Sequence, residues 1–158
     1  MNTIDFKMPR YHEIPNVGLY LEQTVQYINQ YIEPLHISIT ASMLSNYVKN
    51  GFVSRPIKKQ YNADQIAHLM FIAIVKQTLS MQNIVDLFQL QEKTYDAPTA
   101  YDYFCTELEN ELQKVFENRP NTELTDMPFA KKTLFSVVIA ISHTIYLNYC
   151  FEQMKNMK

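Results

Sequence analysis

Apolar residues recur along this chain at helical spacing, and polar or proline-bearing joints separate the runs. Leu21, Val25, Ile28 and Ile32 make one inward stripe, which predicts a helix from Val17 to about Ile32 with Asn16 as its cap. Pro34 forbids its continuation. Thr40 is the next N-cap signal, and Ile39 and Leu44 stand where a hydrophobic staple places them. This second helix runs to about Lys49 and stops at Asn50-Gly51. Met43, Leu44, Tyr47 and Val48 turn inward, leaving Ser42, Ser45, Asn46 and Lys49 outward. The stretch from Phe52 to Tyr61 is too short, and too broken by Pro56, for a helix. Phe52-Val53 and Gln60-Tyr61 are expected to pair as a small ribbon around Arg55-Pro56-Ile57-Lys58. Asn62 with Gln65 reads as a capping box, and Tyr61 with Ile66 as a second staple, for a helix continuing to about Gln77.

Ser80 caps a short helix to Leu90, and residues 91–97 form a polar joint. A helix from about Pro98 to Asn118 follows, ended by Arg119-Pro120-Asn121. The last segment, Pro128 to Met154, is apolar on nearly every side from Leu134 to Leu147 and reads as a buried helix. Dense β-branched residues make a strand the first alternative. A membrane span is the second, opposed by Ser136, Ser142, His143 and Thr144 in a stretch shorter than the ~20 apolar residues required. The pattern predicts an all-α chain: an arm at 1–15, a helix-turn-helix head with a short β-wing at 16–78, and a helical C-terminal bundle at 79–158.

Composition narrows the chemistry. The 158 residues, 47% of them hydrophobic, suffice for a real core. Only two are glycine, Gly18 and Gly51, so no phosphate-cradling loop can be built. Cys105 and Cys150 form no Cys-x-x-Cys pair and, with no signal peptide in view, point to the reducing cytoplasm. The histidines His12, His36, His68 and His143 lack metal-ligand spacing, so neither a metal nor a cofactor is expected. No carboxylate pair, serine elbow or Cys/His arrangement supports an enzyme.

The net charge of −2 hides an asymmetry. From Pro34 to Ala63 there is no acidic residue, while Lys49, Arg55, Lys58 and Lys59 are basic. From Asp64 onward there are 12 acidic and 8 basic residues, a net of −4. A basic segment on an acidic body is a local electrostatic footprint. A helix with a Ser/Asn/Lys outer face suits a major groove, and a basic wing beside it suits phosphates.

The run Thr40 to Val53, Thr-Ala-Ser-Met-Leu-Ser-Asn-Tyr-Val-Lys-Asn-Gly-Phe-Val, resembles the recognition helix of MerR-type regulators and the turn after it. Lys58-Lys59-Gln60-Tyr61-Asn62 looks like the basic-aromatic end of that family's wing. The order of segments also resembles a bacterial family, known only as a domain of unknown function, with a MerR-like head and a helical C-terminal half. The resemblance implies a winged helix-turn-helix that binds double-stranded DNA and regulates transcription as a dimer. It places Thr40, Ser42, Met43, Asn46, Tyr47 and Lys49 on the recognition helix, and Arg55, Lys58, Lys59 and Tyr61 on the wing. Asn46 is suited to reading an adenine edge. The chain departs from the family at Ser42 and Ser45, where arginines are usual, at Asn46, where a second aromatic is usual, and at Val48, where an acidic residue is usual. Fewer charge-assisted phosphate contacts follow.

Elsewhere, Asp102, Glu107, Glu109 and Glu111 read as a solvated helix face, and His143 as a hydrogen-bonded core residue. Tyr95, Tyr101, Tyr103 and Phe104 are either core or the lining of an effector pocket. The apolar stretch 134–147 suggests a shared core or a dimer interface. The expected partners are DNA, a second copy of the chain and a small-molecule effector, with no membrane. The competing reading is a protein-interaction adaptor, or a small-molecule sensor, that keeps the fold without DNA binding.

Overall fold

The structure, a computed structural model, describes residues 5–157. Among the described residues six α-helices follow one another: α1 (Leu21–Ile32), α2 (Ala41–Lys49), α3 (Ala63–Val75), α4 (Met81–Glu92), α5 (Ala97–Phe116) and α6 (Phe129–Asn156). Short 3-10 turns lie at Tyr11–Glu13 and Glu33–Leu35. The fold is all-α.

α3 is the central element. Eleven of its 13 residues are buried, and it touches α1, α5 and α6. One continuous core runs from Phe6 through Ile28, Leu44, Ile66 and Phe104 to Ile145, so the N- and C-terminal halves share it. Each fully buried Ile or Leu contributes about 1.5–3 kcal/mol. α5 and α6 form the most extensive helix pair. α6 is long and apolar enough to cross a membrane, yet Leu134, Phe135, Val137, Val138, Ile141 and Ile145 are buried inside this chain. Seven of the 14 residues from Leu134 to Leu147 are buried within this molecule.

Most helix ends follow from local chemistry. Thr40 Oγ1 accepts from the Met43 amide at 3.1 Å, and Ile39 and Leu44 are both buried, as a staple requires. At the other end of α2, Gly51 (φ +78°) donates to Val48 O and Phe52 to Tyr47 O, a Schellman closure. Asn62 and Gln65 make the reciprocal box at α3. Ser80 and Asp96 cap α4 and α5.

The first helix begins at Leu21, four residues later than its sequence pattern suggests. Leu19 and Tyr61 exchange both backbone hydrogen bonds, at 3.0 and 2.8 Å, which keeps that segment extended. Gly18 (φ +86°) makes the bend, and a Cβ there would stand 2.8 Å from Gln60 Oε1. Asn16 then caps a different helix: its Oδ1 accepts from Ala63 N, the first residue of α3, at 3.0 Å.

The β-wing is also corrected. Among the described residues there is no strand, only the isolated bridges Leu19–Tyr61 and Ile57–Gln60. Phe52-Val53 does not pair with Gln60-Tyr61. The backbone groups such a pairing needs are taken: Phe52 N donates to Tyr47 O, Gln60 pairs with Ile57 and Tyr61 with Leu19, while the Gln65 side chain holds the Ser54 and Arg55 carbonyls between them, at 3.1 and 2.8 Å. What remains is a tight turn over Ile57-Lys58-Lys59-Gln60.

Two expectations about polar residues also fail. Asp102, Glu107, Glu109 and Glu111 are not a solvated face. Glu109 and Glu111 are buried, and Asp102 accepts from Tyr11 N at 2.7 Å. The N-terminal arm explains this, since Phe6, Met8 and Ile14 are core and the arm lies along α5. His143 is exposed rather than core, with Nε2 2.7 Å from Asn121 Oδ1. Cys105 and Cys150 are free thiols, and burial pushes Cys105 up to about 12.

Candidate nucleic-acid interface

α2 presents Thr40, Ser42, Ser45, Asn46 and Lys49 to solvent and packs through Leu44 and Tyr47. Met43 and Val48 are half-buried against the core. Both approaches to this helix are tethered. The Asn29 side chain grips Ile39 from α1: Nδ2 donates to Ile39 O at 2.9 Å, and Oδ1 accepts from Ile39 N at 2.8 Å. A side-chain amide thereby replaces a strand partner just before the helix cap. Toward its end, Tyr47 is only 5% exposed, and its hydroxyl accepts from Lys76 Nζ at 2.9 Å. The Lys76 ammonium also lies 5.1 Å from the centre of the Tyr47 ring.

The second part is the basic turn. Arg55, Ile57, Lys58 and Lys59 are all exposed. Ile57 N donates to Gln60 O at 3.1 Å and Gln60 N to Ile57 O at 2.9 Å, closing a two-residue loop. Lys58 (φ +51°) and Lys59 (φ +65°) both occupy the left-handed region. That is the pattern of a type I′ turn, a place where Asn-Gly is preferred. Two adjacent lysines in such backbone are strained, and they put two ammonium groups at the tip of a short projection.

Of the residues the sequence singles out, Thr40, Ser42, Asn46, Lys49, Arg55, Lys58 and Lys59 are exposed and available to a partner. Tyr47 and Tyr61 are not. Both rings are buried, and Tyr61 contributes by pairing its backbone with Leu19. Sequence reasoning missed Asn29, Gln65 as the anchor of the 54–55 backbone, and Lys76. A polar residue on the inward side of a helix was the available signal for Asn29. Nothing local marks Lys76.

A cavity of about 570 Å³ lies nearby, between α3, α4 and the start of α5. Tyr95, Tyr101 and Phe104 line it, and Tyr101 and Phe104 are at the same time buried in the core. Tyr103 does not, packing instead edge-on to Phe135 with Lys131 over its ring. His68 stacks on Phe88 with ring centres 3.9 Å apart, and burial pushes its imidazole down to about 4.

The family model described as Domain of unknown function (DUF1836) matches residues 9–104. The chain belongs to that family. The matched span holds α1 to α4, the basic turn and the first part of α5, and so includes both the exposed face of α2 and all of the cavity lining except Leu134. No curated protein and no solved structure matches the chain.

Proposed function

We propose that this protein binds double-stranded DNA and regulates transcription, through a MerR-like helix-turn-helix in which α2 enters the major groove. The observation that carries this reading is the outer face of α2, small polar residues and Lys49 on a rigidly tethered helix, within a segment free of acidic residues that ends in the Lys58-Lys59 turn. In this reading Asn46 and Ser42 face base edges, Thr40 stands at the helix start, and Arg55, Lys58 and Lys59 hold phosphates. The β-wing of MerR-type regulators is replaced in this reading by the turn with its lysine tip.

A homodimer belongs to the same proposal. Leu147, Phe151 and Met154 are exposed on the last turns of α6, beyond its buried stretch. Two heads on one duplex would need such a contact to fix half-site spacing.

Fluorescence anisotropy of labelled duplex from upstream of the protein's own gene, titrated at several salt concentrations, tests the reading. With Lys49 also on the DNA backbone, the four basic residues Lys49, Arg55, Lys58 and Lys59 give a log–log slope of about −3 to −4 per protomer, doubled for a dimer. Such a slope, with weaker binding to scrambled DNA, is the expected result. Absence of binding at low salt, to that duplex and to pooled genomic fragments, overturns it. The adaptor reading has one observation in its favour, Ile57, 71% exposed beside the lysines. Reversing charge with K58E/K59E separates the two, because a DNA binder loses affinity for every sequence and an adaptor need not.

A further inference from the structure

The cavity between α3, α4 and α5 has walls of a specific kind. Phe71, Phe88, Tyr95, Tyr101, Phe104 and His68 give it aromatic surface. The His68–Phe88 pair, 17° from parallel, is a flat platform, and Phe104 meets Phe71 edge-on at 4.8 Å. A volume of about 570 Å³ accommodates a small organic molecule.

Its charges are all of one sign. Asp64, Glu92 and Asp96 line it and are exposed, while no lysine or arginine does so among the described residues. His68 adds no positive charge near neutral pH, since burial holds its imidazole down near 4. Glu92 makes no hydrogen bond or ion pair among the described residues, so its carboxylate is available. One lining residue asks for a donor. Gln91 is 6% exposed and gives its Nε2 to Ala130 O at 3.0 Å, but its buried Oε1 has no partner. A buried acceptor left without a donor costs about 1–3 kcal/mol, so it marks a place where a donor belongs.

We propose that this cavity binds a small organic ammonium with an aromatic body, an arylalkylamine, whose occupancy is transmitted to the basic turn through Gln65. Aromatic walls favour the ring and attract the cation, and the acidic mouth raises its local concentration. The ammonium supplies the donors that Glu92 and Gln91 lack. Transmission follows from one side chain with three roles. Gln65 lines the cavity, completes the α3 capping box, and holds the Ser54 and Arg55 carbonyls that begin the turn. Ser54 and Asn62 line the same wall. The transmission rests on the DNA-binding reading, whereas the site does not.

Titration of the full chain with 2-phenylethylamine hydrochloride, followed by NMR of the Gln91 side-chain amide and the His68 ring, tests the site without DNA. The neutral 2-phenylethanol and the anionic phenylacetate are the comparisons. Saturable shifts at both groups are expected, with the amine at least tenfold tighter than either comparison. D64N/E92Q should weaken the amine at least fivefold, and A100F should abolish binding by filling the cavity, with thermal melts confirming that each variant folds. No saturable shift, or phenylacetate binding as tightly as the amine, overturns the site. Anisotropy with the upstream duplex then tests transmission: a change in DNA affinity with the amine, absent in A100F, supports it, and an unchanged affinity overturns it. A protein that binds the amine but no DNA under any condition retains the site and loses the DNA reading.

Discussion

The Arg10 guanidinium grips Glu109 through two parallel hydrogen bonds, Nη1 to Oε2 and Nη2 to Oε1, each 2.8 Å long. The pair spans 99 residues and fastens the N-terminal arm to α5. Met8 N donates to the same carboxylate at 2.8 Å, and Lys7 stands 3.6 Å away. Burial alone would push the Glu109 carboxyl up, but these hydrogen bonds and positive charges hold it below its ordinary value. Arg10→Ala leaves a buried carboxylate with little compensation, so urea denaturation should show a loss on the order of 3 kcal/mol. R10M/E109Q, which removes the charge and keeps an acceptor for Met8, should recover most of it. Equal losses in both variants would mean that the arm is held by its apolar residues alone.

Acid should weaken the fold in two stages. His68 has its imidazole pushed down from 6.5 to about 4 by burial. The unfolded chain therefore takes up a proton at that position between pH 6.5 and about 4, and the folded chain does not. Stability falls with pH through that window, by on the order of 3 kcal/mol, and is fully present above 6.5. Glu109 and Glu111 act from its lower end downward. Burial pushes Glu111 up as well, but Thr122 N and Oγ1, Lys114 and Asn121 bind it and hold it down. Their contribution is present above the ordinary value of 4.5 and lost below it. Melting temperatures from pH 8 to pH 3 check both stages. H68F keeps a ring on Phe88 and should flatten the upper one, and a slope unchanged by H68F would place the titration elsewhere.

The Lys58-Lys59 turn predicts opposite changes in stability and affinity. K58N/K59G puts the preferred residues into left-handed backbone and should raise stability by about 1–2 kcal/mol. The same change removes two cations and should make the salt slope for DNA less steep by about 2 per protomer. Chemical denaturation and salt-dependent anisotropy on one preparation measure both. A rise in stability with an unaltered slope would remove the lysines from the interface.

Asn29 predicts a defect at a distance. N29A takes away both hydrogen bonds to Ile39 and should destabilise the protein by about 1–3 kcal/mol. It should also weaken DNA binding while leaving the salt slope intact, since no charge is lost. If hydrogen exchange at the start of α2 is unaffected, the tether does not position that helix.

The helices themselves were legible because their signals are local. Thr40 with Met43, Asn62 with Gln65, and Asn50-Gly51 act within one turn of backbone, and apolar spacing identifies an inward face without reference to its partner. The outward set on α2 was legible for the same reason. Sequence alone thus determined an all-α chain, the bounds of most helices, the exposed face of α2 and the acid-free basic segment. Tertiary structure decided the rest. Leu19 meets Tyr61 across 42 residues, which turns a helical start into an extended segment and sends Asn16 to cap α3. Phe52 N goes to Tyr47 O, and Gln60 and Tyr61 pair with Ile57 and Leu19, which takes backbone groups a ribbon would have needed. Arg10 and Thr122 convert Glu109 and Glu111 from apparent surface to buried anchors. Apart from the local Phe52 and Gln60 bonds, the deciding group in each case is a polar atom whose partner lies ten or more residues away along the chain, beyond the reach of one helical turn, and only folding brings the two within hydrogen-bonding distance.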